Sequence, residues 1–214
     1  MNRKTSCITE KQFNEIIKLV YEGSHDGKIK KSEEIAIMLT ITGNCGLRIG
    51  DCTKLKLNSF IQEGDDYRYN IIEEKTGKKR TCIIPKEIYE LIKKYANKKN
   101  RKEDEYIFNH TIRAIQLKLK NIAKYLGEEY KDISTHSFRK CAGMRIYKLS
   151  GNDIELTRKF LNHSSINTTQ RYLGVNDEEI NKIVKENYSI PFKEKKNEEN
   201  VLNYIDSNGK CINQ

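Results

Sequence analysis

Clustered cysteines and long apolar runs are both missing from this chain of 214 residues. The six cysteines are scattered and form no CxxC pair, whereas disulfide frameworks and zinc sites need closer grouping. The segment from Met1 to Thr9 is polar and has no apolar signal core. No run approaches the roughly 18 apolar residues of a membrane helix. We therefore predict a cytoplasmic protein with reduced thiols, no membrane partner and no structural metal.

Low hydrophobic content and excess positive charge narrow the class of protein further. Hydrophobic residues make up 36% of the chain and charged residues 33%, which suits a globular protein with a heavily charged surface. Lys and Arg exceed Asp and Glu by 40 − 30 = 10. Such an excess favours a polyanionic partner, because each neutralised phosphate releases counterions. Charge alone does not separate a nucleic-acid-binding protein from one with a merely basic surface.

Two helices are predicted near the N-terminus. Thr9 and Gln12 have the spacing of a capping box, and apolar residues follow at helical intervals. Ser32 has the position of an N-cap before a second, strongly apolar helix. We expect Gly43 and Gly46 to break that second helix.

The hydrophobic period changes in the middle of the chain. After a short helix over about residues 49–55, residues 67–71 and 82–84 flank the polar turn 75–78, which contains a glycine. This pattern predicts a β-hairpin. Two amphipathic helices follow, the second over residues 112–126.

The last third is predicted to be helical from Ser134, with a break near Asn162 and a helix over about residues 177–187. The predicted fold is mainly α with a small antiparallel β-sheet (α+β), formed by residues 1–190. Residues 191–214 are charged and poor in apolar groups, so we expect a tail that is flexible or docks on a partner.

Four segments carry side chains suited to one chemistry: Gly46–Asp51, Lys75 in the turn, His136–Arg139, and the stretch from Leu161 to Tyr172. Phosphodiester cleavage needs cations around the non-bridging oxygens, where charge builds up in the transition state. Arginine serves this purpose because its guanidinium group stays protonated and offers a planar fork of donors.

The remaining side chains could move protons and attack phosphorus. A histidine can donate a hydrogen bond or relay a proton. A tyrosine oxygen can attack phosphorus and keep the bond energy as an ester, so that rejoining needs no ATP. The departing 5′-oxygen needs a proton, which a lysine on a turn can deliver.

In this order the segments resemble the signature of the tyrosine recombinase, or phage integrase, family. The matching motifs are Gly-Leu-Arg with an acidic residue three places on, Lys-Thr-Gly on a hairpin, His-x-x-Arg, and Leu-x-His-Ser-Ser-Ile-x-Thr-Thr-x-x-Tyr. The likeness covers roughly residues 8–188. Each motif alone is weak, but four in order are specific.

The resemblance implies how a scissile phosphate would be bound. Arg48 and Arg139 would clamp the phosphate, and His163 would be a further phosphate ligand. Asp51 would brace Arg48 or its neighbours from behind.

The resemblance also implies a nucleophile and its proton carriers. Tyr172 would attack the phosphate, Lys75 would be the general acid for the 5′-hydroxyl, and His136 would be a general base or proton relay. Neither a metal ion nor another cofactor would take part.

The function implied by the resemblance is that of a site-specific DNA recombinase, or integrase, which cleaves and rejoins strands through a 3′-phosphotyrosyl intermediate. Its partner would be double-stranded DNA, and four protomers would form the working complex. The segment 177–214 would be a candidate for docking on a neighbouring subunit. The family pattern begins almost at Met1, so we expect the usual N-terminal core-binding domain to be absent, in either a fragment or a minimal enzyme.

Other interpretations remain open from the sequence. A type IB topoisomerase-like or hairpin-resolving enzyme would share this chemistry, and a non-catalytic DNA-binding relative would keep only the fold. In isolation, Arg48 and Asp51 fit an ordinary helical ion pair, and a solvated turn would account for Lys75, Lys78, Lys79 and Arg80. A zinc site using Cys141 and His163 lacks a second close pair of ligands.

Overall fold

The computed structural model describes residues 7–173 and the backbone of residues 204–205 and 211–212. The chain divides into two compact units, residues 1–174 and residues 175–214. The described part of the first unit contains eight α-helices and one three-stranded antiparallel sheet. None of the described helices is both long and apolar enough to span a bilayer. The predicted α+β class, mainly helical with a small sheet, is confirmed.

The first two helices begin where the sequence predicted. Helix α1 covers Glu10–Glu22, and Thr9 and Gln12 form its capping box. Helix α2 covers Glu33–Cys45, and the Ser32 hydroxyl caps it by accepting a backbone N–H bond. Nearly every side chain of α2 is buried, and α1 and a later helix, α6 (Thr135–Leu149), pack against it. Helix α2 is therefore the centre of the hydrophobic core.

The prediction that Gly43 breaks the second helix is wrong. Gly43 lies within α2, and a Cβ atom placed there would come 2.2 Å from the Phe13 ring. The glycine is needed for close packing of α1 on α2, and one glycine costs a helix only about 1 kcal/mol. Gly46 does end the helix, with a left-handed φ of 62°. The next helix, α3, covers only Ile49–Cys52 and is shorter than predicted.

The sheet has one strand more than the predicted hairpin. Strands β2 (Asp66–Ile72) and β3 (Lys79–Ile84) pair around the predicted turn, with Tyr69 opposite Cys82. A preceding strand, β1 (Phe60–Glu63), pairs with the outer edge of β2. Most of β1 is exposed, so it lacks the apolar alternation by which strands are recognised.

A buried carboxylate fixes the segment between the next two helices, α4 (Lys86–Lys98) and α5 (Ile112–Leu126). Glu34 of α2 accepts hydrogen bonds from the Tyr95 hydroxyl at 2.6 Å and from the backbone N–H groups of residues 109–110 at 2.6 and 2.7 Å. These bonds hold the chain just before α5, and therefore set where α5 begins.

Three helices complete the first unit: α6 (Thr135–Leu149), α7 (Ile154–Phe160) and α8 (Ile166–Leu173). Ser134 is the N-cap of α6, and its backbone N–H donates to the Ser137 hydroxyl at 3.1 Å. The break at Asn162 is confirmed, and this residue has a positive φ of 51°. Helices α6, α7 and α8 pack on one another.

The second unit contains two short strands, β4 (Tyr204–Ile205) and β5 (Cys211–Ile212), which pair antiparallel. The predicted helix over residues 177–187 lies outside the described residues. The boundary near residue 190 and the role of the tail therefore stay predictions.

Candidate active site

An open cleft of about 210 Å³ lies between α3, the β2–β3 turn and the first turns of α5 and α6. Five of the predicted site residues line it: Arg48, Asp51, Lys75, His136 and Arg139. Ile112 and Gln116 of α5 complete one wall. Within the described ranges, the His, Cys, Asp and Glu side chains form no group of three that could hold a metal ion.

Arg139 is held from the interior side by the ends of two helices. The residue is 2% exposed; its Nη1 donates to the Gly46 carbonyl at 2.5 Å and its Nη2 donates to the Leu161 carbonyl. Carbonyl groups at helix C-termini lack helical partners and carry partial negative charge. Burial, followed by the charges of Arg48 and Arg80, lowers the pKa of Arg139 to about 10, so it remains protonated at neutral pH.

Arg80 holds the same helix ends from the sheet, which corrects the interpretation of this one residue as part of a solvated turn. It is 7% exposed and donates to the carbonyl groups of Gly46, Cys45 and Phe160 at 2.8, 2.9 and 2.8 Å. The available sequence signal was strand alternation, because β3 buries every second residue and Arg80 takes an inward position.

Arg48 lies at the N-cap of α3 and pairs with Glu73. Its Nη1 is 2.5 Å from Glu73 Oε2, and the two side chains are 17% and 0% exposed. The helical ion pair between Arg48 and Asp51 is not the arrangement observed. Asp51 Oδ1 instead accepts the backbone N–H of Glu74 at 3.2 Å, so Asp51 braces the turn after β2.

Glu73 was missed by the sequence interpretation, because two adjacent glutamates before a lysine are typical of a solvated turn. Burial would raise the pKa of its carboxyl group, but hydrogen bonds from Arg48 and Thr76 outweigh this effect and leave the pKa below its ordinary value. Glu73 is therefore an ionised carboxylate inside the protein.

Tyr172 of α8 lies beside the same residues. Its hydroxyl donates to the His136 backbone carbonyl at 3.3 Å, and its half-buried ring meets the His163 ring edge to face, with centroids 5.1 Å apart. Burial raises the pKa of the hydroxyl well above its ordinary value, although Arg139 and Arg48 oppose the shift. The phenol therefore keeps its proton at neutral pH until a base removes it.

Both imidazole groups of the site are neutral near pH 7. Burial, followed by the charge of Arg139, lowers the pKa of His163 to about 4, and its Nδ1 lies 3.1 Å from the Thr169 hydroxyl. Burial, followed by the charges of Lys75 and Arg139, also lowers the pKa of His136. A neutral imidazole can accept a proton, so His136 has the protonation state that a general base requires.

Lys75 reaches the cleft from an exposed turn. The turn is closed by the Glu73 N–H bond to the Lys78 carbonyl at 2.9 Å and by the Gly77 N–H bond to the Glu73 carbonyl at 2.8 Å. Gly77 has a φ of 64°, which favours glycine. The predicted hairpin is confirmed, and its turn brings Lys75 to the cleft that Arg48 and His136 also line.

Comparison with known proteins gives one family and several relatives. The sequence profile of the phage integrase family matches residues 6–179. The chain is 27% identical over 173 residues to the tyrosine recombinase XerC of Caldanaerobacter subterraneus, an alignment that covers 77% of this chain and 47% of that protein. It is 31% identical over 194 residues to transposase B from transposon PsiTn554 of Staphylococcus aureus, with 83% and 30% covered. The chain therefore spans half or less of the length of these two relatives.

Solved structures give the same fold. The XerH site-specific recombinase bound to its difH substrate matches with a TM-score of 0.64 at 16% identity, over 87% of this chain and 56% of that one. The catalytic domain of bacteriophage HP1 integrase matches with a TM-score of 0.54 at 17% identity, over 86% and 95%. At these identities the likeness shows the fold alone.

We predict that His163 stays neutral in the folded chain down to about pH 4. In the unfolded chain an ordinary histidine binds a proton near pH 6.5. Between these values the unfolded state binds more protons, so the free energy of unfolding falls as the pH drops through this window. At pH 4.5, His163 should lower the free energy of unfolding by on the order of 2 kcal/mol relative to neutral pH. NMR titration of the ring nitrogens and denaturant unfolding at several pH values measure both quantities.

The control for this prediction is His163→Asn, which removes the titrating group but keeps a polar atom near Thr169. Its unfolding free energy should depend less steeply on pH between 6.5 and 4.5 than that of the wild type. A His163 ring that titrates near pH 6.5 in the folded protein would contradict the prediction.

Proposed function

Because this chain belongs to the phage integrase family, we propose that it is a site-specific DNA recombinase that cleaves and rejoins DNA strands. A 3′-phosphotyrosyl link at Tyr172 carries the strand between the two steps. One observation supports the proposal: two arginines, a lysine and a neutral imidazole group line one cleft, and beside it Tyr172 contacts the His136 backbone and the His163 ring. Such a set binds a phosphate diester and moves protons without a nucleotide cofactor.

In the cleavage step the Tyr172 oxygen forms a bond to phosphorus, and the bond from phosphorus to the 5′-oxygen breaks. The phenol proton passes to the neutral imidazole of His136. Lys75 gives a proton to the departing 5′-oxygen. Rejoining runs the same steps in reverse, with a 5′-hydroxyl from a partner duplex as the attacking group.

Arg48 and Arg139 stabilise the charge that builds on the non-bridging oxygens. Arg139 is suited to this role because two backbone carbonyl groups accept hydrogen bonds from its Nη1 and Nη2 atoms and so fix the orientation of its guanidinium group. His163 packs against the Tyr172 ring, where it can donate a hydrogen bond to the phosphate. Catalysis by groups fixed in advance avoids the cost of reorganising solvent during the reaction.

Helix α5 extends the basic surface away from the cleft. Its sequence, IRAIQLKLKNIAKYL, contains no acidic residue. Gln116 lies at the cleft wall, and Arg113, Lys120 and Lys124 are exposed on the same helix. Phosphate contacts supply most of the affinity of proteins for DNA. We infer that a DNA duplex with its scissile phosphate in the cleft also contacts α5.

Strand exchange requires more than one copy of the chain. Recombination joins two duplexes with four strand cleavages, so we infer a complex of four protomers on DNA. Residues 177–214 are the proposed segment for contact with a neighbouring protomer. The five cysteines among residues 7–173 are free, which agrees with action in the reducing cytoplasm.

Tyr172→Phe should abolish covalent attachment to DNA, because it removes only the attacking oxygen. We expect adducts to fall below detection on a pool of nicked duplexes of randomised sequence, measured by denaturing gels. DNA affinity should stay within about twofold of the wild type, since the change leaves every cation in place. Tyr21→Phe, an exposed tyrosine of α1, is the matched control and should form adducts normally.

Two outcomes would count against the assignment to Tyr172 or to recombination. Adducts at wild-type levels in Tyr172→Phe would remove Tyr172 from the role of nucleophile. Efficient relaxation of a supercoiled plasmid by the wild type, with no exchange of strands, would favour the topoisomerase-like alternative.

Lys75→Ala should slow cleavage by about 10²- to 10⁴-fold, which is the range for the loss of a general acid or base. A substrate with sulfur in place of the bridging 5′-oxygen should restore most of the rate, because a thiolate leaves without needing a proton. Single-turnover adduct formation on both substrates measures the effect. Lys78→Ala, another exposed lysine of the same turn, should behave as the wild type. Equal loss on both substrates would exclude Lys75 as the acid.

The double variant Arg113→Gln/Lys120→Gln should weaken DNA binding for all sequences alike. Each lost phosphate contact reduces the slope of log affinity against log salt concentration by about 0.9. We therefore expect a slope smaller by about 2, measured by fluorescence anisotropy between low and physiological salt. Lys11→Gln/Lys18→Gln on the exposed face of α1 makes the same change in net charge. If both double variants reduce the slope equally, α5 has no special role.

A further inference from the structure

Glu73 is a fully buried carboxylate directly behind the candidate active site. It follows β2 at the base of the turn that carries Lys75. Arg48 lines the cleft, whereas Glu73 is not among the residues that line it. The carboxylate therefore contacts Arg48 from the interior side, opposite the side from which a phosphate would enter.

The turn itself holds this carboxylate in one orientation. Glu73 Oε2 accepts the Thr76 hydroxyl at 2.7 Å and lies 2.5 Å from Arg48 Nη1. Its Oε1 lies 3.8 Å from Arg80 Nη1. Within the turn, the Glu73 backbone N–H donates to the Lys78 carbonyl, and the Glu73 carbonyl accepts the Gly77 N–H. A side chain fixed at this many points can orient the guanidinium group it contacts.

Helix α3 is joined to the turn at a second, neighbouring point. Asp51 accepts the backbone N–H of Glu74 at 3.2 Å, while Arg48, three residues earlier, contacts Glu73. The short helix α3 has only four residues, so its own hydrogen bonds hold Arg48 weakly. The contacts with the turn therefore determine where the Arg48 side chain points.

The charge of Glu73 acts in opposite directions on binding and on chemistry. The Glu73 carboxylate lies behind Arg48 and Arg80. Its negative charge reduces the attraction of the site for a phosphate, because like charges repel. The same carboxylate restrains Arg48, and a displacement of about 1 Å in a positioning contact can cost about 10²-fold in rate. A residue that only stabilised the fold would not lower the cleavage rate while leaving DNA affinity unchanged or higher.

We propose that Glu73 is a positioning residue that holds the Arg48 guanidinium group towards the scissile phosphate. This inference rests on the proposed function, in which Arg48 binds that phosphate. Glu73 does not touch the DNA and takes no proton in the reaction. Its contribution passes through Arg48 alone.

The test is Glu73→Gln, which keeps the shape of the side chain and an acceptor for Thr76 but removes the charge. With the full 214-residue chain, single-turnover adduct formation on nicked DNA should slow by about 10- to 100-fold. DNA affinity should be unchanged or tighter. Glu63→Gln is the matched control, since Glu63 is an exposed carboxylate of the same sheet paired with Arg68, and it should leave both quantities unchanged.

A double-mutant cycle with Arg48→Ala tests whether the effect passes through Arg48. In the Arg48→Ala background, Glu73→Gln should change the remaining rate by less than about twofold. If Glu73→Gln does not yield folded protein, Glu73→Asp replaces it in the same cycle, because it keeps the charge and shortens the reach. The expected coupling to Arg48 is the same.

Three results would overturn the inference. The first is a Glu73→Gln cleavage rate within twofold of the wild type, and the second is a loss of rate that multiplies with the loss caused by Arg48→Ala. The third is a loss of DNA affinity as large as the loss of rate. Failure of the proposed function looks different, because the wild type would then form no adduct at Tyr172. That result would end both proposals. Normal adducts in wild type and variant alike would end this one only.

Discussion

Two buried arginines satisfy the free carbonyl groups at the C-terminal ends of α2 and α7, and the site is assembled around them. Arg139 and Arg80 both donate to Gly46, and they continue to Leu161 and Phe160 respectively. Beyond Gly46 the chain reaches Arg48 after two residues, and beyond Leu161 it reaches His163 after two. The contacts that end the helices therefore also set the positions of the residues that follow.

The hydrogen bonds explain why two positive charges are tolerated inside the protein. An unpaired buried charge costs several kcal/mol, whereas each hydrogen bond to a charged group contributes roughly 1.5–3 kcal/mol. Arg80 makes three such bonds to carbonyl groups and Arg139 makes two. The partial negative charge at the helix C-termini adds to this stabilisation. The guanidinium groups are therefore stable before any substrate arrives.

Sequence reasoning could predict the parts of this arrangement that have local signals. The capping box at Thr9, the N-cap at Ser32 and the glycine-containing turn each depend on neighbouring residues. The motif order also predicted which six side chains would meet, because the family resemblance carries spatial information that spacing alone lacks. The structure places four of the six at one cleft and the other two in contact with each other beside it, and their chemical roles remain part of the proposed function.

The features that were missed depend on tertiary contacts. Glu73 and Arg80 are charged, so composition assigns them to the surface. Only partners in the folded chain stabilise them in the interior: Arg48 and Thr76 for Glu73, and three backbone carbonyl groups for Arg80. Gly43 lies within α2 without breaking it, and its missing side chain leaves the space in which the Phe13 ring packs. Strand β1 pairs through its backbone while most of its side chains face solvent. Of these properties, only the inward position of Arg80 had a signal in the neighbouring residues, namely the alternation of β3.

The same positive charges determine when a proton could leave Tyr172 in the proposed reaction. Without DNA, burial and then the charges of Lys75 and Arg139 lower the pKa of His136, which makes it a weak proton acceptor. A phosphate diester in the cleft carries a negative charge that offsets theirs, so the pKa of His136 should rise when substrate binds. Burial also raises the pKa of the Tyr172 phenol. In the proposed reaction, electrostatics therefore link activation of the nucleophile to the binding of substrate.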